Sequence, residues 1–273
     1  MRPNFLACHA SKSGDPVAVS ARGYMDKSVL ITGAGARLGA YLAKGLGEDG
    51  WHVCIHYFRS ESRAKDMADG IIARGGSASI VKGNLSVPDD LNTLIERCGR
   101  PLQALINNAS TFTADRADNY SSASWDYHRA VNLDAPLRLC ADFAAQASEG
   151  GAIINMIDQR VLKPNPQFFT YSIAKAGLYW ATKTMAQSFA PNIRVNGVGP
   201  GPTLENFSQG DGEFSAEALA RLLGEGSPPD TILHAIRYLL SARAVTGQMI
   251  AVDGGQHLNW QTPDLLFGGD HHE

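Results

Sequence analysis

From Lys27 onward, short apolar runs rich in β-branched residues alternate with segments whose apolar positions recur at helical spacing. This is the rhythm of β-α-β units and a parallel sheet. The runs predict strands at 29–32, 52–57, 79–82, 104–107, 152–156, 194–198 and 249–252. They are apolar throughout rather than in alternation, which suits strands covered by helices on both faces. The segments between them predict helices at 37–48, 61–74, 88–98, 124–146, 168–189 and 230–241. The expected fold class is α/β, a Rossmann-type doubly wound parallel sheet of seven strands.

One stretch breaks the rhythm. Residues 199–229 hold Pro200, Pro202, Pro228, Pro229 and several glycines around a short helical patch at 216–223, and a loop this long inside a compact domain is usually a functional lid. Residues 1–24 have no periodic apolar face and read as a disordered extension, with Met25 a candidate start. Arg2, Lys12 and Arg22 leave a targeting peptide as the alternative. Residues 25–273 read as a single domain.

Composition removes several function classes. Lys plus Arg number 24 against 27 for Asp plus Glu, a net charge of -3, so no broad basic field is available for nucleic acid or an anionic membrane. No apolar run reaches the roughly 18 residues of a membrane span. Cys8, Cys54, Cys98 and Cys140 form no C-x-x-C pair and suit reduced thiols in a cytoplasmic protein. His52 and His56 share a strand face without a third ligand nearby in sequence, so no metal is expected.

The chemistry lies at the strand ends. Thr32-Gly33-Ala34-Gly35-Ala36-Arg37-Leu38-Gly39 follows the first strand and opens the first helix. Glycine there permits a tight turn and close backbone approach, and the N–H groups of a helix start meet a pyrophosphate. An NAD-selecting acid is expected at the end of the second strand, but Arg59 and Ser60 stand there instead and the first acid is Glu61. A guanidinium and a hydroxyl suit a 2′-phosphate, so the expected cofactor is NADP(H). Tyr171 and Lys175 lie four residues apart on one helix face. An ammonium beside a phenol is expected to lower the phenol's pKa and make it a better proton donor.

With Asn107-Asn108-Ala109 after the fourth strand, Asn132, and Pro200-Gly201 after the sixth, these motifs make the segment 27–258 resemble the short-chain dehydrogenase/reductase family. Two features depart from its common pattern: Arg37 replaces a turn glycine, and Asp158 replaces the usual serine thirteen residues before the tyrosine. Both are similar to pteridine reductases, as is Asn108-Ala109-Ser110-Thr111-Phe112, where Phe112 matches a pterin-stacking ring. The resemblance implies a catalytic set of Asp158, Tyr171, Lys175 and Asn132. It implies cofactor contacts from Gly33, Gly35, Arg37, Leu38, Gly39, Tyr57, Arg59, Ser60, Asn84, Leu85, Asn108, Ala109, Ser110, Tyr171, Lys175, Pro200 and Gly201. Substrate contacts would come from Arg37, Ser110, Phe112, Asp158, Tyr171, Gly201 and Leu204.

The implied activity is NADPH-dependent reduction of a dihydromonapterin, dihydrobiopterin or dihydrofolate type of pterin, with Tyr171 the proton donor. A carboxylate suits such a ring because its N–H groups donate, whereas a carbonyl substrate offers only acceptors. A carbonyl reductase that tolerates Asp158, or a non-catalytic nucleotide-binding regulator, are the competing readings. Asn84 stands where many family members carry an aspartate beside the adenine, and Trp260 and the apolar tail suggest subunit packing in the family's usual homotetramer.

Overall fold

A computed structural model describes residues 27–147, 150–203, 222–224 and 227–260. The expected extension at 1–24, Leu204, and most of the expected lid lie outside the described residues. Seven strands form one parallel sheet: β1 (Ser28–Ile31), β2 (His52–Tyr57), β3 (Ser77–Lys82), β4 (Ala104–Asn107), β5 (Gly151–Met156), β6 (Ile193–Pro200) and β7 (Met249–Val252). Their spatial order is β3-β2-β1-β4-β5-β6-β7, the expected doubly wound arrangement. The order reverses direction between β1 and β4, and the crevice beyond the carboxyl ends of these two strands is where such sheets bind ligands.

Side-chain alternation along each strand divides the core between the two faces. Val29, Ile31, Val53 and Ile55 bury against Leu42 and Leu46 of α1 (Arg37–Glu48), Ile71 of α2 (Glu61–Ile72), and Ile232 and Ile236 of the helix Pro229–Ser241. Leu30, Leu105, Ile153 and Val195 face the other way, onto Leu94, Leu139, Phe143 and Ala186.

Two expected helices are interrupted. The one at 88–98 is α3 (Pro88–Asn92) followed by a separate 3-10 turn at Glu96–Cys98. The one at 124–146 begins earlier and divides into α4 (Ser122–Arg129), a π-helical turn (Ala130–Asp134) and α5 (Ala135–Gln146). Pro136 explains the second break: it has no N–H to give the Asn132 carbonyl its regular helical partner. The Ala135 N–H instead reaches back to the Ala130 carbonyl. The bulge turns Asn132 fully inward, and π-bulges of this kind are frequent at functional sites. The long helix α6 (Phe169–Phe189) carries Tyr171 and Lys175, and the helix Pro229–Ser241 is α7.

Candidate active site

The glycine turn is built against β4. The Thr32 hydroxyl accepts from the backbone N–H groups of Asn108 and Ala109, both at 2.9 Å, and the Asn108 side-chain amide donates to the Thr32 carbonyl at 2.8 Å. Gly33 sits at φ +66° with Ala109 so close that an added Cβ would lie 3.1 Å from its Cα. At Gly39 a Cβ would lie 2.6 Å from Asn108 Nδ2, and nearer still to the Gly33 carbonyl. Turn, helix start and β4 loop therefore meet backbone to backbone, the close approach that a pyrophosphate site needs. His56, buried under the turn, accepts from the Gly33 N–H.

Arg37 occupies the glycine position of the common turn and takes its left-handed backbone, φ +54°. A non-glycine residue pays roughly 1–2 kcal/mol for that conformation. Glycine would avoid that cost, so an arginine at this exposed helix start argues for a role of the guanidinium beyond filling the turn.

Arg59 and Ser60 are both exposed at the end of β2. The Arg59 guanidinium lies over the Phe58 ring at 5.1 Å, and Ser60, at the start of α2, makes no capping hydrogen bond to that helix. The Tyr57 hydroxyl is engaged by Glu61, and its pKa is raised by burial and by the Glu61 charge. Asn84 folds into a local turn: Oδ1 accepts from the Ser86 N–H at 3.1 Å and its hydroxyl at 2.8 Å. Asp90 accepts the Asn84 backbone N–H at 2.6 Å, and Leu85 enters the core. Gly201 donates its N–H to Val252 at 2.9 Å, with Asp253 packed where a side chain would be.

At the reacting end, β5 ends at Met156 and delivers Asp158 beside α6. The Tyr171 hydroxyl donates to Asp158 Oδ2 at 2.7 Å, and Lys175 Nζ donates to the Met156 carbonyl at 2.7 Å. Asp158, Tyr171 and Lys175 are all buried. Burial pushes Lys175 down to about 8, against the opposing pull of Asp158. The expected depression of Tyr171 by Lys175 is corrected here. Burial, then the Asp158 charge and hydrogen bond, hold the phenol well above its ordinary value, against the opposing pull of Arg160 and the neighbouring Ser110 hydroxyl. Tyr171 is thus a firmly protonated donor, and the ammonium, 5.8 Å from the ring centroid, is placed to stabilise the phenolate once the proton has left.

Asn132 acts on the site through the β4 loop. Its Oδ1 accepts from the Thr111 N–H at 2.9 Å and the Ser110 hydroxyl at 3.0 Å, and its Nδ2 donates to the Thr111 carbonyl at 2.9 Å. That clasp presents Phe112, which meets Tyr171 edge-on at 4.7 Å between centroids and stacks face to face with Phe168 at 4.2 Å.

Six participants were missed in the sequence: Phe168, Arg160, His128, Thr113, Thr170 and Asp115. Phe168 holds φ +56° just before α6, a strained backbone for a bulky residue. Arg160 lies over both phenylalanine rings and pairs with Asp158 at 3.2 Å. Beneath them, His128 accepts the Thr113 N–H at 3.2 Å and meets the Thr170 hydroxyl at 2.7 Å, and Thr170 in turn donates to Asp115. This buried chain ties the Phe112 loop to the first turn of α6. The one local signal was a charged residue, Arg160, two positions from the departing Asp158.

A family model described as enoyl-(acyl carrier protein) reductase matches residues 33–257. The chain belongs to this family of short-chain dehydrogenases/reductases. Among solved structures, it is similar to FolM alternative dihydrofolate reductase 1 from Brucella canis complexed with NADP, at 38% identity and TM-score 0.85 over 88% of this chain and 97% of that one. The counterpart from Brucella suis, also in complex with NADP, gives 39% identity and TM-score 0.84 over 88% and 98%. Among curated relatives, 3beta-hydroxysteroid dehydrogenase 1 of Eggerthella lenta is 30% identical over 89% of this chain and 97% of its own length. As a short-chain reductase the chain is an oxidoreductase. No helix among its described residues is long and apolar enough to cross a membrane.

Proposed function

We propose that this oxidoreductase uses NADPH to reduce a dihydropterin, of the dihydromonapterin, dihydrobiopterin or dihydrofolate type, to its tetrahydro form. The observation that carries the reading is the 2.7 Å hydrogen bond from Tyr171 to Asp158, a carboxylate where a carbonyl reductase needs a hydroxyl donor. The likeness to NADP-bound FolM at 38% identity supports it.

Bound NADPH supplies the hydride. The glycine turn and the N-terminus of α1 would hold the pyrophosphate, with Arg37 beside it, and Arg59 and Ser60 would hold the 2′-phosphate. Phe112, braced by Phe168, offers the stacking surface for a flat ring, and Asp158 and Ser110 read its polar edge. When hydride adds to the carbon of a C=N bond, the nitrogen needs a proton, and Tyr171 gives it. Lys175 then stabilises the phenolate until solvent protonates it again.

NADPH oxidation followed separately with a dihydropterin and with a panel of ketones tests the reading. Faster turnover of the dihydropterin supports it. The 30% identity to a hydroxysteroid dehydrogenase favours a second reading as a carbonyl reductase, for which ketones are the better substrates. Turnover of neither would leave a nucleotide-binding regulator. The family's usual homotetramer is part of the proposal. Trp260 and Leu258, 63% and 59% exposed near the end of the described chain, offer apolar surface for it, and sedimentation of the full chain would measure it.

A further inference from the structure

We infer that Arg160 is a positioning residue of this site: its guanidinium holds Asp158 as a carboxylate, so that the hydrogen bond between the two acids can run only from Tyr171 to Asp158. The inference rests on Asp158 and Tyr171 being the reacting pair and is independent of the substrate being a pterin.

Asp158 is 8% exposed. A carboxylate that deep is costly to keep ionised without a cation and tends to take up a proton instead. A protonated Asp158 becomes a donor and competes for the role that Tyr171 must fill. Arg160, itself 8% exposed, prevents this in three ways. Its Nη1 reaches Oδ2 at 3.2 Å and Oδ1 at 3.4 Å, and its backbone N–H donates to Oδ1 at 2.8 Å. The guanidinium does not deprotonate in a protein. Its plane is held by two aromatic rings, Phe112 at 5.5 Å and Phe168 at 5.2 Å.

Among the described residues, two other titratable groups flank the pair. Lys175, from α6, donates to the Met156 carbonyl. His128, from α4, lies 6.2 Å from the Tyr171 ring, and burial holds its pKa below the ordinary histidine value against the opposing charge of Asp115. Neither group makes a hydrogen bond to Asp158 in this arrangement, whereas Arg160 makes a direct one. The same guanidinium joins the acid–phenol pair to the stacked rings beside it, so charge and ring placement change together when it is removed.

Three variants test this against wild type, at saturating NADPH and with whichever substrate the wild type reduces. Arg160→Met keeps bulk over the rings without charge, Arg160→Lys keeps charge without the planar fork, and Asp158→Asn/Arg160→Met is the control. The profile of kcat/KM against pH is the readout. With Arg160→Met the acid limb should move to higher pH, with kcat/KM falling most at the acid end of the profile and recovering to within about threefold of wild type at pH 8.5. Arg160→Lys should return the limb toward wild type. In Asp158→Asn/Arg160→Met, where no carboxylate remains beside the phenol, the displacement seen with Arg160→Met should be absent.

Superimposable profiles for wild type and Arg160→Met would overturn the inference. So would an equal loss at every pH in both single variants, which would reduce Arg160 to packing. If Arg160→Met does not accumulate as folded protein, Arg160→Gln gives the same readout with a polar plane over the rings. A wild type that reduces ketones in preference to dihydropterin would sink the pterin reading and leave this test intact.

Discussion

His56 accepts the Gly33 N–H through Nδ1 at 3.0 Å and faces the Gly83 carbonyl through Nε2, also at 3.0 Å. The first contact needs a bare Nδ1 and the second an Nε2–H, so the ring is held in one neutral tautomer under the nucleotide turn. Burial pushes it down from 6.5 to about 4, with the Gly83 hydrogen bond opposing. The unfolded chain therefore takes up this proton near pH 6.5 and the folded chain only near pH 4. The stability that His56 contributes is complete above pH 6.5 and is lost as pH falls to about 4. The full effect is roughly 3 kcal/mol. His56→Gln keeps a donor and an acceptor and does not titrate. Denaturation midpoints should fall more steeply with acid in wild type than in this variant, and parallel curves would remove the role.

The glycines of two neighbouring helices should respond to alanine with opposite signs. At Gly39 the new Cβ meets the Gly33 carbonyl and Asn108, backbone and a tied side chain that cannot both yield. Gly39→Ala should cost roughly 1–3 kcal/mol and weaken NADPH binding. At Gly70, inside α2, the nearest atom is the far end of Arg74 at 3.5 Å. Gly70→Ala should gain about 0.5–1 kcal/mol from helix propensity. Thermal melts of the two variants, at about 2–4 °C per kcal/mol for a chain of this size, decide the comparison.

Arg59→Ala should lose NADPH affinity by about tenfold or more while sparing NADH, because a charged pair to phosphate is worth roughly 1.5–3 kcal/mol. In the structure Arg59 rests on Phe58, a contact that alanine also removes. Arg59→Met keeps that packing without the charge. Fluorescence titration with both nucleotides should therefore find Arg59→Met and Arg59→Ala equally weak for NADPH. A methionine variant that binds like wild type would assign the residue to packing.

Much of this site is legible in the chain because its groups sit at strand ends and within one helix. Gly33 follows from the order of apolar runs and Tyr171 with Lys175 from their helical spacing, Asn108 and Asp158 are what the family resemblance implies, and the described ends of all seven strands fall within two residues of the pattern. The pattern fails where a partner lies far off in sequence or the backbone leaves its usual region. The helix expected at 124–146 reads as continuous, since a single proline at 136 marks its π-bulge and the periodicity runs on through it. Phe168 reads as the first residue of a helix because no local signal marks a left-handed phenylalanine; the stack on Phe112, 56 residues away in the chain, is what accompanies it. Likewise, the His128, Thr170 and Asp115 chain has no spacing to recognise, joining a loop and two helices that only the fold brings together.

Tyr171→Phe keeps the edge-on contact with Phe112 at 4.7 Å and removes the hydroxyl. Turnover should fall by roughly 10²–10⁴, the scale of general acid catalysis, with NADPH binding retained. Stopped-flow measurement of a single turnover would locate the loss in the chemical step. A near wild-type rate would move the proton donor elsewhere.

Asp158→Ser restores the residue common in the wider family and separates the two substrate readings. The hydroxyl is shorter than the carboxylate and uncharged. It loses the acceptor for ring N–H groups of a pterin and leaves the Tyr171 phenol without its 2.7 Å partner. Dihydropterin turnover should therefore fall by about tenfold to a hundredfold, in line with the loss of one hydrogen bond to a charged group, while ketone reduction is unchanged or gains. The structure adds a cost that the sequence pattern does not show. Arg160, 3.2 Å from Asp158 and buried, loses that ion pair, and breaking a buried pair from one side costs roughly 3–5 kcal/mol. Asp158→Ser/Arg160→Met removes both charges and should recover most of that stability without recovering dihydropterin turnover. Melting curves and steady-state rates for the single and double variants keep the two effects apart. Full recovery of dihydropterin activity in the double variant would show that Asp158 serves only to neutralise Arg160, and the site would then read as that of a carbonyl reductase.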